Sequence, residues 1–102
     1  MFGFGISTLI SLFIGAAVIY AAILSVNAVV DWFKSRAALV NSDQDNIAFT
    51  VKERLSNGDF ALYQGIFNQR TEQLLEGRKM VGEKLDGQLG QLHRDQAMVV
   101  YQ

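Results

Sequence analysis

The pattern of apolar and polar positions divides the chain near Asp31 into two different parts. From Ile6 to Val30, twenty-five residues contain no Asp, Glu, Lys, Arg or His. As a helix rising about 1.5 Å per residue, this stretch would be roughly 37 Å long, which exceeds a bilayer hydrocarbon core of about 30 Å. The pattern therefore predicts a single N-terminal transmembrane α-helix.

The small residues of that predicted helix lie on one side of it. At 100° per residue they form a helix-packing face, with Val18 as its one larger member: Ser7, Ser11, Gly15, Val18, Ala22 and Ser25. Such a face lets a second helix approach closely, and its serine hydroxyls can hydrogen-bond across the contact. The alternative is that each serine bonds back to a carbonyl of its own helix. Tyr20 and Asn27 are the candidate intramembrane polar contacts.

The residues after the apolar stretch are typical of a membrane interface. Trp32 and Phe33 fit an aromatic belt, and Lys34 and Arg36 are the first basic side chains of the chain. The positive-inside rule then places the N-terminus outside and the C-terminal domain in the cytoplasm. Met1 to Gly5 contains no Lys or Arg, which favours an uncleaved anchor over a secretory signal peptide.

The charged part of the chain is predicted to be a polar linker followed by one small α+β domain. The domains are thus a transmembrane anchor over residues 1–36, a linker over 37–46 and the α+β domain over 47–102. Alternation and turn residues predict the order β-β-β-α-β, an antiparallel sheet with one helix near residues 83–94. For residues 73–81 a strand is favoured over a helix, because Gly77 would weaken a helix by about 1 kcal/mol.

The first two strands are predicted to form a hairpin. Asn57 and Gly58 favour a two-residue type I′ turn, in which both positions need a positive φ. That turn sets Phe49 opposite Ile66 and gathers most of the apolar side chains on one face.

Composition and motifs predict no catalytic residues and no metal site. With nine Lys or Arg and ten Asp or Glu, the net charge of −1 argues against a nucleic-acid partner. No Cys is present, which excludes disulfides and zinc–thiolate sites. His93, the single histidine, is predicted to be an exposed helix residue. The carboxylates at helical spacing, Glu72 with Glu76 and Glu83 with Asp86, are interpreted as solvated charges.

The function predicted from these features is that of a non-enzymatic accessory or structural subunit of a larger membrane protein complex. Its partners would be the lipid bilayer and the transmembrane helices of other subunits, or of further copies of the chain. No cofactor is expected beyond a lipid or pigment touching the helix. Two alternatives stay open: a self-assembling, pilin-like ring or filament subunit, and a membrane-tethered regulatory or adaptor module.

Overall fold

A mixed five-stranded sheet organises the protein, and helices cover both of its faces. The computed structural model describes residues 5–101; the start of the predicted uncleaved anchor (1–4) and residue 102 lie outside the described residues. The elements are α1 Ile6–Ser11, β1 Ala17–Leu24, α2 Val26–Lys34, α3 Ala37–Val40, β2 Asn46–Arg54, β3 Phe60–Asn68, β4 Gln73–Leu85, α4 Gly87–Leu92 and β5 Met98–Tyr101. The strand order is β1-β4-β3-β2-β5.

The apolar stretch forms α1, β1 and the start of α2, so the prediction of one transmembrane helix is wrong. Gly15 has a φ of 87°, in the left-handed region that favours glycine, and the chain turns there. The β-branched residues that follow favour a strand. Ser25 then caps α2, its hydroxyl accepting from the Ala28 N–H at 3.1 Å.

Within residues 5–101, no helix combines the length and the apolar character needed to cross a bilayer. The prediction of a single-pass integral membrane protein, with its N-terminus outside and its C-terminal domain in the cytoplasm, depended on such a helix. That prediction is wrong for the same reason.

One face of the sheet is covered by α1 and the turn that follows it. Leu9 and Phe13 are buried there, and the Phe13 ring makes edge contacts with Phe49 and Tyr63 at centroid distances of 6.0 and 5.2 Å. Gly77 makes room for this ring, because a Cβ at that position would lie 2.7 Å from it. Two residues of the predicted transmembrane helix therefore complete the core.

The opposite face is covered by α2 and α4. Its buried apolar residues are Leu24, Val29, Leu62, Met80 and Leu89. Gln64 is fully buried and ties α2 to the sheet: its Nε2 donates to the Val29 carbonyl at 2.7 Å, and its Oε1 accepts from Arg78 at 2.8 Å. Trp32 is buried beneath the guanidinium groups of Arg36 and Arg78, which lie 4.0 and 5.5 Å from its ring.

The hairpin between β2 and β3 forms with a register one residue away from the prediction. Phe49 pairs with Gly65 instead of the predicted Ile66. The Gly58 N–H donates to the Leu55 carbonyl at 3.0 Å, and of the two turn residues only Gly58, not Asn57, has a positive φ. This is a type I turn followed by a left-handed glycine rather than a type I′ turn. Relative to the side chains of β2, each β3 side chain consequently lies on the opposite face of the sheet from the predicted one.

The strand favoured for residues 73–81 is confirmed, as part of β4. The order β-β-β-α-β is observed from β2 onward, but the sheet is mixed because β1 joins β4 in parallel. α4 begins at Gly87, later than predicted, because Asp86 is its N-cap. One Asp86 carboxylate oxygen accepts from the Leu89 N–H and the other from the Val26 N–H at the start of α2, both at 2.8 Å.

The residues assigned to the linker carry α3 and a turn that is bound to β3. The amide of Asn68 donates to a carboxylate oxygen of Asp43 at 3.1 Å and to the side-chain oxygen of Asn46 at 2.8 Å. Arg70 forms ion pairs with Asp43 and Asp45. The backbone N–H of Asp45, and then the Arg70 guanidinium, lower the pKa of Asp43.

Candidate functional site: an uncovered edge strand

In the part of the chain that the structure describes, β1 is an edge strand with one hydrogen-bonded neighbour, β4. All seven residues from 17 to 23 are exposed and none carries a charge; Tyr20 is 77% exposed, and Val18 and Ile23 are each 47% exposed. The outer side of an edge strand presents a row of backbone donors and acceptors to which another strand can pair. β1 contains no Lys and no Pro, the residues that commonly block such pairing.

Two basic side chains of the neighbouring strand, those of Arg78 and Lys79, turn away from β1. Arg78, which pairs with Ala17, donates instead to Gln64. Lys79, which pairs with Val18, extends over β3, with its ammonium 5.3 Å from the centroid of the Tyr63 ring. The residues of β1 are themselves neutral, and Lys84, which pairs with Ile23, is an exposed basic residue beside the end of the strand.

A groove of about 350 Å³ borders β1. Tyr20, Ala22, Val81 and Glu83 are among the residues that line it. Tyr20 and Val81 are register partners, so they belong to the face that α1 covers further along the sheet. Ile14, three residues before β1, is 89% exposed.

A larger cavity, of about 680 Å³, lies toward the opposite edge, between α2 and α3 on one side and β2 and β5 on the other. Its walls are mostly apolar, and its volume is in the range of small-molecule sites. Two of its polar residues are bonded within the fold, since Asn46 donates to the Leu39 carbonyl at 2.9 Å and Tyr101 bonds Thr50 at 2.7 Å. The cavity thus offers mainly apolar surface, together with the polar residues Lys34, Asn41, Asp43 and Gln44.

A buried hydrogen-bond network runs from Tyr101 through Thr50 to His93. His93 Nδ1 lies 3.0 Å from the Gln96 carbonyl, which can only accept, so the neutral ring carries its proton on Nδ1. Nε2 then accepts from the Thr50 hydroxyl at 2.8 Å, and Thr50 in turn accepts from the Tyr101 hydroxyl. Burial raises the pKa of Tyr101, which keeps the phenol protonated as this role requires.

We interpret this network as structural. A hydroxyl bonded to a histidine is the usual arrangement of an activated nucleophile. Both Thr50 and His93 are fully buried, however, so no substrate reaches the hydroxyl. The prediction of an exposed helix histidine is wrong, because His93 follows α4 and turns inward against β2.

The buried histidine makes the stability of the protein depend on pH. Burial, assisted by the nearby Lys52 ammonium, lowers the pKa of His93 below its ordinary 6.5. The unfolded chain therefore takes up this proton first as the pH falls, so the stability from neutral His93 is complete above about pH 6.5 and is lost below it. We expect the free energy of unfolding, measured in urea, to decrease by up to about 1.4 kcal/mol per pH unit below about pH 6.5. The His93→Gln variant should lack this slope; an equal slope in both proteins would assign the effect to other groups.

The structure disperses the predicted helix-packing face over three elements and a turn. Ser7 and Ser11 lie on α1, Gly15 in the turn, Val18 and Ala22 on β1, and Ser25 at the N-cap of α2. Of the two candidate polar contacts, Tyr20 is on β1 and Asn27 is exposed in the first turn of α2. Only Val18, Tyr20 and Ala22 are thus brought together on one strand.

The four predicted membrane-interface residues lie in or just after α2, which packs on the sheet. Trp32 is buried, and the Phe33 ring lies 5.2 Å from the Tyr101 ring. Lys34 lines the larger cavity, and Arg36 forms an ion pair with Glu76. The two aromatic rings and the Arg36 guanidinium therefore make contacts within the fold.

Sequence analysis missed β1 and the structural role of Asp86, although the signals for both are present. A β-branched and aromatic run stands between Gly15 and Ser25, a turn residue and a capping residue, which is the pattern of a strand between two breaks. Asp86 precedes the apolar positions of α4 as an N-cap does. No local signal marks Thr50 and His93 as partners, since they are far apart in the sequence.

Comparison of the chain with protein-family models, with curated proteins and with solved structures gave no match. Among residues 5–101, five of the eight exposed large apolar residues lie between positions 14 and 23: Ile14, Val18, Ile19, Tyr20 and Ile23. This concentration makes the β1 edge the strongest candidate site in the described part of the chain.

Proposed function

We propose that this chain is a non-enzymatic structural subunit that joins a protein assembly by strand addition at β1. The observation that supports the proposal is the uncovered edge of β1, where seven consecutive uncharged residues are exposed. A strand added there would satisfy the backbone groups of the edge and cover its apolar side chains. Natural proteins usually blunt such an edge, so leaving it bare favours an interaction site.

Two physical terms would supply the affinity. Main-chain hydrogen bonds extend the sheet across the edge, and their pattern fixes how the partner is aligned. The side chains on both faces of β1 then gain roughly 25 cal/mol for each Å² of apolar area that the partner covers. Specificity would come from the groove beside Tyr20, which has Asp59 and Glu83 as its charged residues.

The proposal is tested by placing one charge on the edge. The Tyr20→Lys variant should fold normally, because Tyr20 is largely exposed, but its ammonium should oppose strand addition. The tagged full chain is expressed in its native cells and separated by size-exclusion chromatography. We expect the wild type to elute as part of an assembly and Tyr20→Lys to elute as a single chain.

The matched control is Val100→Lys, which places the same charge on an exposed apolar residue of β5, at the other edge of the sheet. It should leave the assembly intact. Loss of the assembly in both variants, or a wild-type chain that elutes alone, would contradict the proposal.

A further inference from the structure

The exposed residues of β1 are complementary to the same residues read in reverse. Opposed residues of an antiparallel pair point to the same face, and a two-fold axis perpendicular to the sheet keeps each residue on its face. Such an axis must therefore pass midway between one residue and its own copy, and the exposed residues 17–23 are centred on Tyr20. The resulting pairs are Ala17–Ile23, Val18–Ala22, Ile19–Ala21 and Tyr20–Tyr20. Every larger aliphatic residue faces an alanine.

We propose that the strand added at β1 is the β1 strand of a second copy of this chain. The two strands are antiparallel, and the two-fold axis that relates them passes midway between the two Tyr20 residues. The inference rests on the proposed function, since it names the partner for strand addition at that edge. Two five-stranded sheets then become one continuous sheet. The central tyrosines form an aromatic cross-strand pair, a favourable class of pair, and no alanine position is overfilled.

The charges around the edge do not oppose this pairing. Lys79 pairs with Val18 within one copy, and Glu83 lines the groove next to Ala22, so the row that contains the Val18–Ala22 pair ends in opposite charges. The row that contains the Ala17–Ile23 pair ends in Arg78 and Lys84, which are of like charge. In each row the two charged residues are three strand spacings apart, about 14 Å, which exceeds the screening length of about 8 Å at physiological salt, so neither row contributes much to the pairing.

The lengths of the two edges favour a closed dimer over a filament. β1 has eight residues, whereas β5 at the other edge has four. Pairing β1 with β5 of the next copy would leave half of β1 bare, and repetition would generate an open filament. Pairing β1 with itself covers the whole exposed run and closes after two copies. One strand-to-strand contact is smaller than the roughly 800 Å² per partner of a standard interface, so the dimer should dissociate on dilution.

A cysteine scan of the full chain tests the position of the axis. Because the chain has no Cys, one introduced thiol can form a disulfide only with another copy. Single cysteines at each of Val18, Ile19, Tyr20, Ala21 and Ala22 are oxidised, and the disulfide-linked dimer is quantified. The yield should be highest for Tyr20→Cys, whose Cβ atoms would be about 5 Å apart, and should fall several-fold by Val18→Cys and Ala22→Cys. A flat profile, a maximum elsewhere, or no dimer would overturn the inference.

Sedimentation of chains without cysteine provides an independent measurement, because Tyr20→Cys removes a residue of the interface. The wild type and Val100→Lys should show a dimer that increases with protein concentration, and Tyr20→Lys should remain monomeric. A monomeric wild type at every concentration overturns the inference. If Tyr20→Lys still loses its assembly in cells, strand addition stands and the partner is a different protein; if it does not, the proposed function fails as well.

Discussion

The Phe13→Ala variant is expected to unfold with a free energy about 3–5 kcal/mol below that of the wild type, the usual cost of removing a buried phenylalanine. The ring is 6% exposed and rests against Phe49 and Tyr63. Gly77 beneath it has no side chain that could fill the space, so the cavity would stay open. Urea unfolding followed by the fluorescence of Trp32 measures the difference.

Ile14 provides the control for Phe13, because it is the next residue of the same apolar stretch and is 89% exposed. Ile14→Ala should change the free energy of unfolding by no more than about 0.5 kcal/mol. Similar losses in the two variants, or no loss in either, would show that this segment does not pack on the sheet as described. The pair therefore tests whether the N-terminal stretch belongs to the core.

The Asp86→Ala variant is expected to lower the free energy of unfolding by about 2–4 kcal/mol, because one carboxylate holds the starts of two helices. Its two oxygens accept from the Leu89 N–H in α4 and the Val26 N–H in α2. Removing the carboxylate leaves both donors without this partner. The loss should appear in urea unfolding as a lower midpoint with an unchanged slope.

Glu83 is the matched control for Asp86, since it is an exposed carboxylate three residues earlier in the chain. Glu83→Ala should leave the free energy of unfolding within about 0.5 kcal/mol of the wild type. An Asp86→Ala protein as stable as Glu83→Ala would show that the capping contacts contribute nothing. Asp86→Asn should be intermediate, because an amide has only one oxygen acceptor.

The register of the hairpin shows why a correct element does not guarantee a correct face. Turn residues and alternation locate β2 and β3 well, but from Ala61 to Asn68 every β3 residue is buried. A strand that is buried on both faces has no polar side to mark the direction of its pleat. The choice between two registers then depended on the turn, and Gly58 alone, rather than Asn57 with Gly58, adopted a positive φ.

The β1 edge shows a similar limit for the candidate site. Val18, Tyr20 and Ala22 were among the residues singled out, but as members of a helix, where they would not form one outward-facing edge. On β1 these three alternate with Ile19 and Ala21, and both sets are exposed. The composition of an interaction surface was therefore visible in the sequence, whereas its shape was not.

The sequence by itself determined the order of strands and helix from β2 onward, because alternation, turn glycines and propensity act over a few residues. It also determined that residues 6–30 are uncharged and mostly apolar, so that burying their side chains is favourable. Only the tertiary structure decided where they go. The hydrophobic effect is non-directional, so burying apolar side chains is favourable both in a bilayer and against the face of a sheet. The first part of this stretch packs on one face of β2–β4, the second part pairs with the free edge of β4 as β1, and the last part covers the opposite face as α2.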